Sequence, residues 1–232
     1  MSKIMTLYHG SVEKIEIPEL GKGKRNNDYG QGFYCTAHRD LACEWASKLQ
    51  GTDGFVNQYE LDTTNLKVLD LSKYGILHWM TILLKNRTFT LTSPISIQGK
   101  EYLLQNFDID ISDYDVIKGY RADDSYFSFA EDFLNNAISV NHLSRAMRLG
   151  KLGIQYVLIS QKAFDALRFI QADPVENSVY YPLHMVRDNK ARNSYRSSKV
   201  HPVLDPNDIY LLDILRGEIK NGDPRLQRSI SG

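Results

Sequence analysis

The stretch Asp28-Tyr29-Gly30-Gln31-Gly32-Phe33-Tyr34-Cys35-Thr36 decides the fold. Two glycines with one residue between them lead into aromatic and β-favouring residues. This pattern is typical of a strand that begins where the backbone passes close to another group. The stretch therefore predicts a strand through Tyr34, and we interpret the neighbouring group as a flat ligand.

A helix follows this strand. Apolar residues at positions 41, 42, 45, 46 and 49 form the stripe of an amphipathic helix between Arg39 and Leu49. Trp45 lies on that helix, eleven residues after Tyr34, so the two rings can face each other across a slot that would hold an aromatic ring. Each aromatic residue taken alone is also typical of an ordinary core position.

The rest of the chain mixes strands and helices without regular alternation. The patterns predict strands at 5–9, 55–61, 66–71, 114–120, 154–160 and 168–170, and helices at 76–84, 95–107, 124–133, 140–149, 163–167 and 208–219. The segment 11–27 is predicted to be a loop that could cover the site. This mixture favours the α+β class. We predict one domain at 1–172, with a helical insertion at about 72–110, and a C-terminal extension at 173–232.

The C-terminal extension contains a basic run. Between residues 184 and 201, Arg187, Lys190, Arg192, Arg196 and Lys199 stand against a single acid, Asp188. We predict a loose, solvated surface here, with contact to a phosphate-rich or acidic partner as the alternative.

Charge balance and cysteine content narrow the classes of protein. Lys and Arg number 28, as do Asp and Glu, so the overall charge gives no case for nucleic acid or an anionic membrane. No leader sequence and no apolar run of membrane length is present, so we expect a soluble cytoplasmic protein without membrane contact. Cys35 and Cys43 form no disulfide framework and no Cys/His cluster has zinc spacing, so we expect no metal.

Three motifs together carry a resemblance. Tyr8-His9-Gly10-Ser11, then Gly30 to Tyr34, then an aromatic residue eleven positions on, resemble the ADP-ribosyltransferase fold of the diphtheria-toxin and poly(ADP-ribose) polymerase branch, which is marked by a His, Tyr, Glu signature. More narrowly, the chain from Thr6 to Phe169 resembles a bacterial family of uncharacterised function that also carries Gly-Tyr-Arg-Ala-Asp-Asp-Ser-Tyr-Phe. The resemblance implies a split β-sheet of mixed or antiparallel strands with peripheral helices, and NAD as co-substrate.

The resemblance also implies roles for individual residues. His9 would hydrogen-bond the adenosine ribose, the Gly10 backbone would bind the nicotinamide carboxamide, and Tyr34 and Trp45 would sandwich the nicotinamide ring. An aromatic pair suits a flat cationic ring. The further candidates for cofactor binding are Tyr8, Ser11, Gly32, Phe33 and Arg121.

The third signature position departs from the pattern. Gln155 stands where the wider superfamily has a catalytic Glu. A glutamine can accept a hydrogen bond from the nicotinamide-ribose hydroxyl, but it brings no negative charge and cannot act as a general base. Asp123 and Asp124 follow the predicted strand 114–120 and are the candidates to supply the missing acid, although helix capping explains one of them.

The resemblance, read with Gln155 at the third signature position, implies a mono-ADP-ribosyltransferase that transfers ADP-ribose from NAD to a macromolecule. The acceptor stays open between protein and nucleic acid, because the predicted acceptor-recognising segment 148–154 has no Glu or Gln two residues before Gln155. The alternatives are an NAD glycohydrolase and a module that binds NAD or ADP-ribose without chemistry. A toxin or defence role with an antitoxin partner follows from the resemblance only.

Overall fold

The computed structural model of the chain describes residues 3–121, 124–147, 153–200 and 205–227. Seven strands form one sheet: β1 (Ile4–Ser11), β2 (Phe33–Thr36), β3 (Gly54–Asp62), β4 (Val68–Asp70), β5 (Val116–Tyr120), β6 (Ile154–Leu158) and β7 (Leu167–Val175). Their order across the sheet is β4-β5-β6-β2-β1-β3-β7. The β4–β5 pair is parallel and the other neighbours are antiparallel. The predicted α+β class and mixed sheet are confirmed.

Among the neighbouring strands of the described sheet, β1 and β2 have the shortest pairing. Tyr8 and Thr36 form the single residue pair between these strands, whereas β1 pairs with β3 along its whole length from Ile4 to Ser11. Beyond this pair the backbone ladder stops, and the imidazole Nδ1 of His9 bonds the Tyr34 carbonyl oxygen at 2.6 Å instead. The sheet therefore consists of two lobes that separate at His9.

Nine helices are described: α1 (Arg39–Ala46), α2 (Ile76–Asn86), α3 (Pro94–Asn106), α4 (Asp124–Leu134), α5 (Val140–Ala146), α6 (Gln161–Asp165), α7 (Asn177–Val200), α8 (Leu211–Arg216) and α9 (Pro224–Gln227). The largest core cluster joins α2 through Trp79, Leu83 and Leu84 to α4 through Phe129 and Phe133. The predicted helices at 76–84 and 95–107 are confirmed as α2 and α3. None of these described helices is long and apolar enough to cross a membrane.

Helix α7 contradicts the sequence-based expectation for the C-terminal extension. We predicted a last strand at 168–170 and a loose surface at 184–201, but β7 continues to Val175 and α7 then runs for 24 residues. The sequence does not indicate α7, because Pro182 is unfavourable inside a helix and the largely polar residues show no apolar stripe of helical period. Tertiary packing stabilises α7, since Tyr195 is buried and its ring centroid lies 3.7 Å from that of Phe129.

The basic run lies on α7, and three of its side chains pair with acids of the same chain. Arg187 bonds Glu44 at 2.7 Å, Arg192 bonds Asp188 at 2.9 Å and Lys199 bonds Asp132 at 2.8 Å. Glu44 is buried and Asp132 belongs to α4. Arg187 and Lys199 therefore join α7 to α1 and α4, whereas the Arg192 pair lies within α7.

Candidate functional site

A cavity of about 740 Å³ opens where β1 and β2 separate. This size lies within the range of small-molecule sites, which is roughly 300–1,000 Å³. Its walls include eight of the residues predicted from the sequence: His9, Gly10, Gly32, Phe33, Tyr34, Trp45, Arg121 and Gln155. The separation of the two lobes thus brings distant sequence motifs to one pocket.

Of the other predicted residues, Tyr8 and Ser11 lie outside the cavity wall. Tyr8 does not line the cavity, because it points to the opposite side of β1 from His9 and packs with the cluster around Ala42. Ser11 does not line it either; its hydroxyl donates to the Glu13 carbonyl and accepts from Asn57 Nδ2 at 3.1 Å. Asp124 is the first residue of α4. Asp123 and residues 148–152 of the predicted acceptor segment 148–154 lie outside the described residues.

The glycines of the site have close neighbours within the protein itself. A Cβ on Gly10 would lie 1.8 Å from the carbonyl oxygen of Ala42 on α1. A Cβ on Gly32 would lie 2.8 Å from the carbonyl oxygen of Leu158, and Gly30 has a φ of 75°. The interpretation that the glycines of the 28–36 stretch avoid a flat ligand was therefore wrong, since they admit the chain's own neighbouring elements. The remaining surfaces of Gly10 and Gly32 still line the cavity.

Tyr34 closes the turn that enters β2. Its hydroxyl donates to the Gly30 carbonyl at 2.6 Å and accepts from the Tyr29 backbone N–H at 3.1 Å. Burial raises the pKa of the Tyr34 phenol, so the group remains a neutral donor. Tyr34 therefore supplies a ring to the cavity and also fixes the position of the residues before it, including Asp28.

The guanidinium of Arg121, a flat cation, packs on the ring of Trp45. The Arg121 guanidinium carbon lies 4.6 Å from the centroid of the Trp45 ring. Such a contact requires an accessible π face, which is the property needed to bind a cationic aromatic ring. Trp45 thus belongs to the cavity wall, in addition to its helical packing on α1.

His9 offers a hydrogen-bond acceptor to the cavity. Its Nδ1 faces the Tyr34 carbonyl, an acceptor, so Nδ1 carries the proton in the neutral ring and Nε2 has a free lone pair. The ring stacks on Phe33 with centroids 4.4 Å apart. Burial lowers the pKa of His9, and this effect is larger than the opposing effect of the hydrogen bond to Tyr34, which raises the pKa. A hydroxyl group is therefore a suitable ligand for Nε2.

The lowered pKa of His9 predicts a pH effect on stability. The unfolded chain binds a proton near the ordinary value of 6.5, whereas the folded chain binds it at lower pH. The contribution of a neutral His9 to the free energy of unfolding is therefore fully present above pH 6.5. It is lost as the pH falls below that value, by at most about 1.4 kcal/mol per pH unit. We expect urea denaturation between pH 7.5 and 5.5 to show a smaller loss for His9→Asn than for the natural chain. An equal loss in both proteins would contradict a neutral, partly buried His9.

Gln155 has a defined amide orientation. It is buried, and its Nε2 donates to Asp28 Oδ2 at 3.2 Å and to the Tyr120 carbonyl at 3.3 Å. Because both partners are acceptors, the nitrogen must face them. The carbonyl oxygen Oε1 is then the side-chain atom of Gln155 that can accept a hydrogen bond from a ligand.

Sequence reasoning missed two charged residues of the site. Asp28 is buried with 6% of its surface exposed, and Arg87 Nε lies 3.8 Å from Asp28 Oδ1. Both line the cavity. Asp28 belongs to the stretch that decides the fold, but its partner Gln155 is 127 residues away. Arg87 follows α2 in the predicted helical insertion, where no local motif marks it.

The segment 12–32 forms one wall of the cavity and is tied to the sheet. Asn57, fully buried on β3, accepts from the Ile15 backbone N–H at 2.8 Å and donates to the His9 carbonyl at 3.3 Å. The Tyr59 hydroxyl donates to the Ile15 carbonyl. The predicted loop between β1 and β2 is confirmed, and buried polar side chains fix its first part beside His9.

These features define an α+β protein with a cavity at the break in a mixed sheet. The cavity combines aromatic rings, a neutral histidine and a buried Gln–Asp pair. The family described as a protein of unknown function (DUF3990) matches residues 5–169, and the chain belongs to this family. Comparisons with curated proteins and with solved structures found no match. Within the described residues, no three His, Cys, Asp or Glu side chains are grouped to hold a metal ion.

Proposed function

We propose that the chain is an NAD-dependent mono-ADP-ribosyltransferase that transfers ADP-ribose to a macromolecular acceptor. The observation that carries the proposal is that His9, Tyr34 and Gln155, the three signature positions of the resemblance, line one cavity although they are distant in sequence. Their chemistry supports it further, because His9 Nε2 and Gln155 Oε1 are both acceptors and ribose presents hydroxyl donors.

The cavity suits three groups of NAD: the nicotinamide ring, the ribose hydroxyls and the diphosphate. Tyr34 and Trp45 provide aromatic surfaces for the nicotinamide ring, and the contact of the Arg121 guanidinium with the Trp45 ring supports binding of a flat cation there. His9 and Gln155 provide acceptors for ribose hydroxyls. Lys24 and Lys48 also line the cavity and carry the charge that a diphosphate requires.

The reaction breaks the bond between the nicotinamide nitrogen and ribose C1′. The bonding electrons leave with nicotinamide, which becomes neutral, and positive charge develops on the ribose. The site must therefore orient the ribose and stabilise that charge more strongly in the transition state than in bound NAD. Gln155 can orient the ribose but carries no charge, so we propose a single transfer rather than elongation of a chain.

The direct test is incubation of the purified protein with biotin-tagged NAD and a cell lysate, followed by separation of protein, nucleic acid and small molecules. We expect label in one macromolecular fraction. Label found only as free ADP-ribose would replace the proposal with a glycohydrolase, and binding of NAD without turnover would replace it with a binding module.

Gln155→Ala is expected to lower turnover at least tenfold, about 1.4 kcal/mol of transition-state stabilisation, with little change in NAD affinity. The reason is that one hydrogen bond to the ribose is lost while the aromatic contacts to nicotinamide remain. Gln171→Ala, which removes an exposed glutamine of β7, is the matched control and should behave like the natural chain. Single-turnover NAD cleavage and calorimetric titration measure the two quantities. An unaltered rate in Gln155→Ala would remove this residue from the site.

A further inference from the structure

We infer that Asp28 supplies the negative charge of this site and is the reason that residue 155 is a glutamine. The inference deepens the proposed function and rests on it for the reaction, but its structural part stands on the contact between Asp28 and Gln155. No sequence motif assigned a role to Asp28.

Asp28 differs from the other acids of the cavity in its burial. Glu13, Glu16 and Glu19 also line the cavity but are exposed, and Glu16 and Glu19 pair with Lys14 and Lys22 at 2.7 Å. Exposed carboxylates exert little force on a distant charge, because water screens them. A buried carboxylate acts through a medium of lower dielectric constant, so its attraction for a developing cation is several times stronger.

The position of Asp28 is fixed from three directions. Gln155 Nε2 bonds Oδ2 at 3.2 Å, and Arg87 Nε lies 3.8 Å from Oδ1. The turn that follows is closed by the Tyr34 hydroxyl, which bonds the backbone of Tyr29 and Gly30. Arg87 is itself held by the Asn26 carbonyl at 3.3 Å. A carboxylate held in this way needs no reorganisation when charge develops next to it.

The partners of Gln155 explain why no glutamate stands there. Its nitrogen faces the Asp28 carboxylate and the Tyr120 carbonyl, which are both acceptors. A glutamate would place an oxygen against each of them, and two carboxylates about 3 Å apart cannot both be ionised. The amide therefore leaves Asp28 charged and still presents Oε1 to the ribose. Orientation and charge, which one glutamate could supply together, are divided between two residues.

The role of Asp28 in the reaction is electrostatic. As the C1′–N bond breaks, its electron pair goes to nicotinamide, and the positive charge on the ribose is attracted by the Asp28 carboxylate. A lone pair of the acceptor then forms the new bond to C1′, and the proton of the acceptor passes to solvent water. Asp28 itself gains and loses no proton in this sequence.

The test exchanges the two functional groups. Asp28→Asn is expected to lower NAD turnover about 100-fold, the usual effect of removing one electrostatic group from a site, while calorimetric NAD affinity changes less than about threefold. Gln155→Glu alone should also lower turnover. The double variant Asp28→Asn, Gln155→Glu restores one carboxylate beside one amide, and we expect it to exceed each single variant at least tenfold. Asp165→Asn, which neutralises an exposed acid of α6, is the control for removal of a charge.

Two results would overturn the inference. Turnover of Asp28→Asn equal to that of the natural chain would remove the charge from the mechanism, and a double variant no better than either single variant would separate Gln155 from Asp28. If the natural chain cleaves no NAD at all, the proposed function fails and the electrostatic role fails with it. The structural part is then decided by urea denaturation at pH 7.5, where Gln155→Glu must cost more stability in the natural background than alongside Asp28→Asn. Equal costs would overturn that part as well.

Discussion

Tyr34→Ala is expected to lower NAD affinity at least 100-fold, or about 2.7 kcal/mol. Loss of a stacking ring alone accounts for about 1–3 kcal/mol. The change also removes the hydroxyl that bonds Gly30 and Tyr29, so the turn that positions Asp28 loses its closure. Calorimetric titration with NAD measures the affinity, and circular dichroism verifies that the variant is folded.

Tyr34→Phe separates the two contributions. It keeps the ring and removes the two hydrogen bonds, so we expect NAD affinity to fall less than about tenfold while turnover falls more, because the turn loosens around Asp28. Unchanged NAD binding by a folded Tyr34→Ala protein would place the nucleotide elsewhere on the molecule.

Gly10→Val is expected to cause the largest loss of stability, about 3 kcal/mol or more, because overpacking against a rigid backbone is at the upper end of such effects. The Cβ would lie 1.8 Å from the Ala42 carbonyl oxygen and 2.7 Å from the Ala46 backbone nitrogen. Helix α1 would have to move away from β1 and take Trp45 with it. Thermal unfolding should show a decrease of about 6–12 °C for a chain of this size.

Gly75→Ala is the matched control for Gly10→Val. No atom lies within 4 Å of a Cβ added at Gly75, and its φ is −64°. We expect it to change stability by less than about 1 kcal/mol. A Gly10→Val protein as stable as this control would contradict the close packing of α1 on β1.

Local patterns predicted most of the secondary structure because they report on the backbone itself. The apolar stripe around Trp45 predicted α1, and the alternation around Tyr59 predicted β3, since each period follows from the geometry of its own element. The helix α7 was missed because its stability comes from distant contacts, such as Tyr195 on Phe129. A weak local signal with Pro182 inside it carries no information about those contacts.

The sequence alone determined that Tyr34 and Trp45 could share a slot and that Gln155 begins a strand, because these statements depend on spacing along a few turns or strand residues. Only the tertiary structure decided that Gln155 lies opposite Thr36 and Gly119 in the sheet and that its amide meets Asp28. The physical reason is the register of the strands. Pairing across the sheet depends on the packing of the whole core, and one residue of shift would turn Gln155 to the other face.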